Sequence, residues 1–541
     1  MPFESLKDGD LSFVGLNSRD NPSSLPQGIV SKSVNFRMDR GIASVRLGSK
    51  RLKTYPETET VYGVGKYVNA SGQDVIIMAL ADKFRFYNIA TNTYSTQNYG
   101  ATLLTTQDGV DVVYALGKIF VTRGHNTRPF MFDTATNITT VLPVSAGTGH
   151  EFPSPNGLMY YCNRLVALAR HHISGFSARN CVSVSNFLQW DKWDALDEFV
   201  FNEQGNDSVV SVSPWTINEF LVFCRNSIYY VNLGIEKYVT GDPLGQDSFI
   251  RTLVTDIGCS AKNTIVQANG GLLFLSDNGV YFLQPQSVGS NESIKLLTVS
   301  DPVSSPVDDI IKRINKTYAY RSVAAYWNNR YYLAVPLDNS QYNNVVLVYN
   351  FILKQWESLD TYPNGLDIIK WVTGIKDNQI RLFGVDTDEG ILLMEELLWD
   401  EWGDAQGTPK LNFRLSDDPA TAPILTLSDL QYEPYPINAE LITRKYTFNT
   451  VGDKRFSTVE SEFNVVSGSQ IISTSIVSNP DTNTIIDDFV CRTTGDEARR
   501  NPVRKIGTGM QVKYESDSYS TSIRNTFVYA KQQNSNNINK K

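Results

Sequence analysis

Short apolar runs broken by Gly and Asn turns recur along most of the chain, and Ser260–Gln284 shows the unit most clearly. Ile265 and Val266 predict a short strand, Asn269-Gly270-Gly271 a turn, and Leu272 to Leu275 a second strand too short for a helix. Ser276-Asp277-Asn278-Gly279 has the small polar residues of a tight hairpin, and Val280 to Leu283 returns as a third strand. One such small antiparallel sheet cannot bury both of its faces, so it has to stack on others like itself.

The same beat appears from Tyr55 onward. Val61–Tyr67, Val75–Leu80, Lys83–Ile89 and Tyr94 make a first unit. Asp108–Leu116, Ile119–Thr122, Pro129–Phe132 and Val141 make a second, and Gly157–Tyr161, Arg164–Ala169, Cys181–Ser183 and a Trp190/Trp193 segment a third. Val209–Val212, Glu219–Cys224 and Ser227–Asn232 form the fourth, and Ser260–Gln284 the fifth. The sixth is Ser322–Trp327, Arg330–Pro336, Asn344–Tyr349 and Trp356; the seventh is Leu366–Thr373, Gln379–Gly384 and Gly390–Glu395. A period of roughly 40–50 residues with three or four short strands per unit predicts an all-β fold, a β-propeller of about seven blades.

From about Pro409 the strands lengthen and alternate: Glu440–Phe448, Phe456–Val466, Gln470–Val477, Met510–Glu515 and Ser522–Ala530. One apolar and one polar face per strand predicts a β-sandwich-like domain. The expected organisation is an extended basic N-terminal arm over 1–55, the propeller over 56–405, the sandwich over 406–530 and a mobile polar tail over 531–541.

Composition narrows the class. The 541 residues exceed what one core supports, and 41% hydrophobic content is enough to fold them. A net charge of -8 gives no general footprint for nucleic acid. Five cysteines without CxxC spacing predict free buried thiols in a reducing compartment. MPFESLKDGD has no signal-peptide core and no apolar run approaches the ~18 residues of a membrane span, so a soluble chain is expected.

Against that acidic background, Lys32, Arg37, Arg40, Arg46, Lys50, Arg51 and Lys53 face a lone Asp39 within SKSVNFRMDRGIASVRLGSKRLK. A basic extended arm suits docking on an acidic partner or a neighbouring subunit, by strand addition or by pairing charges across an interface. The alternative is an edge strand that closes the first or last blade, where its charges face water. A second cluster, Arg499, Arg500, Arg504 and Lys505, fits an internal pair with Asp487 and Asp488 or a subunit contact better than a phosphate site. Lys32, Arg37, Arg40, Arg46, Lys50, Arg51, Arg499, Arg500 and Arg504 are therefore the interface candidates.

Catalytic chemistry is thin. Four histidines (His125, His150, His171, His172) stand outside metal-ligand spacing, and the adjacent pair would point to opposite faces of a strand. No GxSxG, HExxH or P-loop occurs. Asp386, Asp388 and Glu389 fit a hairpin turn better than a calcium loop, and Ser276–Gly279 departs from the Asp-box of sialidase propellers in spacing and in lacking its Trp. The expectation is a protein without catalytic, cofactor or metal residues.

Several landmarks carry a resemblance: Gly15-Leu16-Asn17, Asp20-Asn21-Pro22, Leu25-Pro26, Asn35, Gly41 and Arg46-Leu47-Gly48, then Cys181–Ser185 before Trp190. Gly258-Cys259 leading to FLSDNGVYFL, Trp327–Tyr332 and Arg499–Lys505 complete the set. With these the chain resembles the tail nozzle (tail tubular protein B) and related tail hub, or packaged-DNA stabilisation, proteins of short-tailed bacteriophages. Arg46-Leu47-Gly48 stands where Arg-Pro-Gly is expected. The resemblance implies a structural virion protein, assembled in the host cytoplasm into a homohexameric tail ring. Its implied neighbours are the portal-side adaptor and the tail fibres or spikes, with DNA passing through the lumen without sequence-specific binding. The alternative function is a glycan-binding or glycan-cleaving propeller, in which Trp190 and Trp193 stack on a sugar.

Overall fold

The computed structural model describes residues 5–53, 59–142, 152–168, 178–202, 207–233, 248–286, 296–362, 367–388, 390–396, 409–411, 430–432, 437–450, 452–465, 470–479, 482–491, 495–516 and 521–532. Among these the architecture is an all-β propeller of seven four-stranded blades joined to a β-sandwich. Blades 1 to 5 begin with Gly63–Val68, Val112–Ala115, Leu158–Tyr161, Val209–Thr216 and Val266–Ala268, and blades 6 and 7 with Val323–Trp327 and Ile368–Lys376. Each first strand lies innermost, beside the first strands of its neighbours around the axis.

Local sequence fixes the hairpins. The turns after the first strands of blades 5, 6 and 7 are Asn269-Gly270, Asn328-Asn329 and Asp377-Asn378, with φ of 50° and 78°, 48° and 59°, and 49° and 64°. Two consecutive left-handed residues make the turn whose twist matches paired strands, and Asn, Asp and Gly tolerate it best. The second strands are buried along their whole length and mostly apolar, as in Asp74–Ala79 and Gly271–Ser276, because neighbouring blades cover both their faces. Outermost strands such as Thr93–Asn98 and Ile138–Val141 are mostly exposed. Apolar clusters fill the junctions between blades; Phe84 of blade 1, for instance, packs on Phe130 and Phe132 of blade 2 at 6.1 and 5.6 Å.

The N-terminal segment is extended and is woven through both domains. Gly48–Lys53 pairs with Ile391–Glu396 as the fourth strand of blade 7, so the two ends of the propeller sequence close the ring together. Lys32–Val34 lies between the last strand of blade 6, Gln355–Thr361, and the sandwich strand Ala439–Ile442. Blade 6 and half of the sandwich thereby form one eleven-stranded sheet, which continues through Gln511–Ser516 and Gln470–Asn479 to Thr482–Cys491. The facing sheet contains Gly495–Gly507, Lys454–Val465, Thr521–Gln532, Ile42–Val45 and Phe36–Asp39, with Ser5–Asp10 on the other half of Thr521–Gln532. The sandwich thus draws strands from both ends of the chain. Buried Tyr514 links its layers, sharing hydrogen bonds of 2.6 Å with both Ser461 and Thr526.

Candidate functional site at the axial mouth

The loops that enter the innermost strands converge on one end of the propeller axis and enclose a cavity of about 100 Å³. Its wall comes from Tyr62 of blade 1, Gln107–Asp111 before blade 2, Lys262 and Asn263 before blade 5, Tyr320 and Arg321 before blade 6, and Asp367 to Lys370 of blade 7. Gly109 sits in this wall at φ +73°, where a Cβ would meet the Asn156 side chain at 2.4 Å and the Gly124 backbone at 2.7 Å. A side chain there would push the Gln107–Asp111 loop out of place.

Two lysines span the axis. The Lys262 ammonium, from the short turn before blade 5, reaches Asp111 Oδ1 of blade 2 at 2.7 Å. Lys370 Nζ of blade 7 donates to Asn263 Oδ1 at 2.7 Å. Burial lowers the Lys370 pKa, and the Asp111 charge partly restores it. These links cross the centre of a single propeller, so its own axis is a plugged pocket.

Asp367 and Asn343 are buried residues of the wall. Asn343 N–H donates to Asp367 Oδ1 at 3.0 Å, and its side-chain amide donates to the carbonyls of Arg321 and Ile368 at 2.9 and 2.8 Å. Both amide hydrogens are thus spent, which fixes the orientation of the amide. The remaining acceptors, Asp367 Oδ2 and Asn343 Oδ1, are buried without a hydrogen-bond partner. Burial pushes the Asp367 carboxyl up to about 6, opposed by the Asn343 N–H and by Arg321. No short motif in the sequence marks this site, because five separate blades build it. The signal present was the charged or amide residues just ahead of strands 1 of blades 2, 5 and 7.

The basic candidates from the sequence lie elsewhere. Arg37 is buried between blades 6 and 7, pairing with Asp360 at 2.5 Å and Glu395 at 2.8 Å. Arg46 is also buried, donating to Asn35 Oδ1 and the Thr361 carbonyl at 2.9 Å each and lying over the Tyr362 ring. Arg51 pairs with Asp386 at 2.6 Å, Lys32 with Glu440 at 2.6 Å, and Lys50 is half-buried in the blade 7 closure. Arg499 and Arg500 stand opposite Ser461 and Glu460 in the sandwich. Arg40, Arg500 and Arg504 are exposed. The structure therefore spends much of the N-terminal charge inside the chain, while Arg40, Arg500, Arg504 and the Glu440-paired Lys32 stay on the surface.

Other sequence candidates resolve individually. Asp386 is a turn residue: its Oδ1 accepts from the backbone N–H groups of Asp388 and Gly390, and Glu389 lies outside the described residues. His150, His171 and His172 also lie outside them. Trp193 is fully buried and Trp190 packs on Phe120 at 5.9 Å, so this pair does not form an exposed stacking platform. Cys181, Cys224 and Cys259 are buried, as expected, whereas Cys162 is only half-buried, and burial pushes the Cys224 and Cys259 thiols up to about 12. Among the described residues no helix is long and apolar enough to cross a membrane, and no cluster of His, Cys, Asp and Glu could hold a metal ion.

The sheets define an all-β propeller protein with an appended sandwich. No sequence-family profile and no curated protein matches the chain. Solved structures similar to it include YCF48 from Cyanidioschyzon merolae, at 10% identity over 64% of this chain and 98% of that one, with a TM-score of 0.38. The extracellular domain of the putative hybrid two component system BT3049 from B. thetaiotaomicron is similar at 9% identity, over 64% of this chain and 42% of that one, with a TM-score of 0.38. PorZ, a surface component of the type-IX secretion system of Porphyromonas gingivalis, is similar at 11% identity over 67% of this chain and 41% of that one, with a TM-score of 0.35.

Proposed function

We propose that the chain is a structural subunit of a bacteriophage tail, a nozzle or hub ring through which the genome is retained and then conducted. One observation carries the reading beyond the sequence resemblance. The sheet that runs from blade 6 through Lys32–Val34 into the sandwich makes the two domains one continuous hydrogen-bonded body. A subunit that holds a ring around pressurised DNA needs that coupling, because a flexible joint would let the domains rotate apart. In this reading the DNA passes between subunits and not along the propeller's own axis, and the net charge of -8 suits a wall that DNA must slide past. Arg40, Arg500 and Arg504, exposed on the sandwich side, are the cations placed to meet a neighbouring subunit or the adaptor.

The test is light scattering and electron microscopy of the purified chain, alone and mixed with its portal-side adaptor. Six copies closed around a lumen are expected, with weak duplex binding at physiological salt. A chain that stays monomeric with the adaptor present, or that binds duplex at nanomolar Kd with a steep salt slope, overturns the proposal. The same reading expects no turnover of glycans, peptides or DNA. Hydrolysis of a cell-surface polysaccharide that a carboxylate substitution abolishes would overturn that part.

A further inference from the structure

The seam between blades 6 and 7, beside the axial mouth, is one hydrogen short. Asn343, in the turn between the second and third strands of blade 6, is 2% exposed, and Asp367, at the entry to blade 7, is 8% exposed. Every donor of Asn343 is spent: its N–H on Asp367 Oδ1, its amide hydrogens on the carbonyls of Arg321 and Ile368. Two acceptors are left over, Asn343 Oδ1 and Asp367 Oδ2, each closed off from solvent and without a partner. Leaving both unmade inside a fold is costly, and native proteins rarely do so without a reason.

Two acceptors with no donor between them are completed by a single hydrogen, and the carboxyl is the member of the pair that can gain one. Asp367 Oδ2 shares its carbon with the Oδ1 that receives the Asn343 N–H, so a proton carried there lies beside the Asn343 side chain. The charges around the carboxyl support its ionised form poorly. Arg321 is the opposing cation, and it also faces Tyr320 and Asp108. Asp386, on the neighbouring strand, and Asp388 just beyond it add negative charge, and Arg51 is already paired with Asp386 at 2.6 Å. Lys370, in the strand that Asp367 leads into, donates to Asn263, and Lys262 pairs with Asp111. Burial and the two carboxylates raise the Asp367 pKa to about 6, against the Asn343 N–H and Arg321.

We propose that this pair is a pH-sensitive latch: a proton held on Asp367 Oδ2 donates to Asn343 Oδ1 and closes the seam between blades 6 and 7, and its loss loosens the seam. Ionisation takes the donor away from Asn343 Oδ1 and leaves a buried carboxylate, a cost relieved when the loops part far enough to admit water. The folded-state pKa lies above the ordinary carboxylate value, so the closed seam is favoured in acid and weakens as pH rises through about 6. The Asn343 amide ties Arg321, ahead of blade 6, to Ile368, in the first strand of blade 7, so opening frees part of the mouth wall. The latch belongs to one propeller and does not depend on a ring.

The experiment follows hydrogen exchange of the full-length chain by mass spectrometry at about pH 4.5 and about pH 7.5, corrected for the intrinsic exchange rate. Peptides that contain Asn343 or Ile368 should lose at least about tenfold in protection between the two pH values, while peptides of blades 3 and 4 keep theirs. Asp367→Asn, whose amide supplies the missing hydrogen at every pH, should hold the seam closed at both. Infrared difference spectra of the wild type against that variant should show a protonated carboxyl that titrates at about 6. If the variant does not fold, the wild-type seam compared with blades 3 and 4 still decides. Three results overturn the proposal: seam protection that does not change with pH, the same pH dependence in Asp367→Asn, or a carboxyl already ionised at the lower pH. An internal water donating to both oxygens gives the first of these and so counts against the latch.

Discussion

Two clusters of buried polar groups in this molecule use the same residue types in opposite ways. At the junction of blades 6 and 7 with the N-terminal segment, Arg37 holds Asp360 and Glu395, while Arg330 holds Glu357 at 2.7 Å. Asn350 donates to Glu357, Ser358 to Asp360, and the Tyr332 hydroxyl to Glu395. No buried side-chain atom of these eight residues lacks a partner. Burial alone would lower the Arg37 pKa, and Asp360 and Glu395 overcome it. Beside the axial mouth, Asp367 Oδ2 and Asn343 Oδ1 are buried without a hydrogen-bond partner. A closed network fixes the position of one element on another, whereas an open one leaves buried polar atoms unpaired at a cost in stability.

The comparison can be broken most violently by removing residues 1–53. That deletion takes away the fourth strand of blade 7, the strand that bridges blade 6 to the sandwich, and Arg37 from the junction. The expected loss is well beyond the ~3–5 kcal/mol of one buried ion pair, with failure to fold to a soluble monomer. Thermal melting with light scattering reads it; a truncated chain that melts like the full one would show that the junction holds nothing together.

A narrower cut is Arg37→Met. It leaves Asp360 and Glu395 buried without their cation and should cost about 3–5 kcal/mol in urea unfolding. The partner substitution Asp360→Asn combined with Arg37→Met should recover part of that loss, since the penalty comes from the unpaired charge.

At the open cluster the sign reverses. The Asp367 pKa is raised to about 6 from 3.8, so the folded state binds the proton more tightly than the unfolded one. Its contribution to stability is therefore full below pH ~4 and lost as pH rises through about 6. Arg321, Asp386 and Asp388 act on the same carboxyl, the first lowering and the other two raising its pKa. Asp367→Asn should stabilise the chain by roughly 1–2 kcal/mol at pH 7 and by nothing at pH 4. Unfolding curves at the two pH values check it, and a destabilised variant at pH 7 would place Asp367 in a closed network after all.

The smallest effect on stability belongs to the surface. Arg500→Glu with Arg504→Glu should change unfolding free energy by less than about 0.5 kcal/mol while weakening ring or adaptor assembly, measured by light scattering.

The blades were legible in the sequence because their turns are local. Asn269-Gly270 and Asn328-Asn329 announce hairpins on their own, and the buried second strands read as unbroken apolar runs. Outer strands were harder: Phe249–Val254 and Leu296–Val299 complete blades 4 and 5 without the alternation that marks a half-buried strand. Gly495–Gly507 read as a cluster of charges, and in the structure it is a strand of 13 residues along Lys454–Val465. The N-terminal segment was legible as extended and basic, but the partners of Arg37 and Arg51 lie more than 300 positions away and leave no local trace. The axial site shares that difficulty, with its donors and acceptors scattered over blades that meet only at the axis.

The closure of blade 7 by Gly48–Lys53 also sets a timetable. This segment leaves the ribosome long before Ile391–Glu396, and Ser5–Asp10 long before Thr521–Gln532, with which each must pair. At ~5–20 residues per second the wait is on the order of a quarter of a minute to under two minutes. An unpaired strand left that long invites association with other nascent chains. Lys50, Arg51 and Lys53 within Gly48–Lys53 and the nearby Arg46 repel another copy of the same segment during the wait, and Arg51 finds its carboxylate, Asp386, only when the last blade arrives.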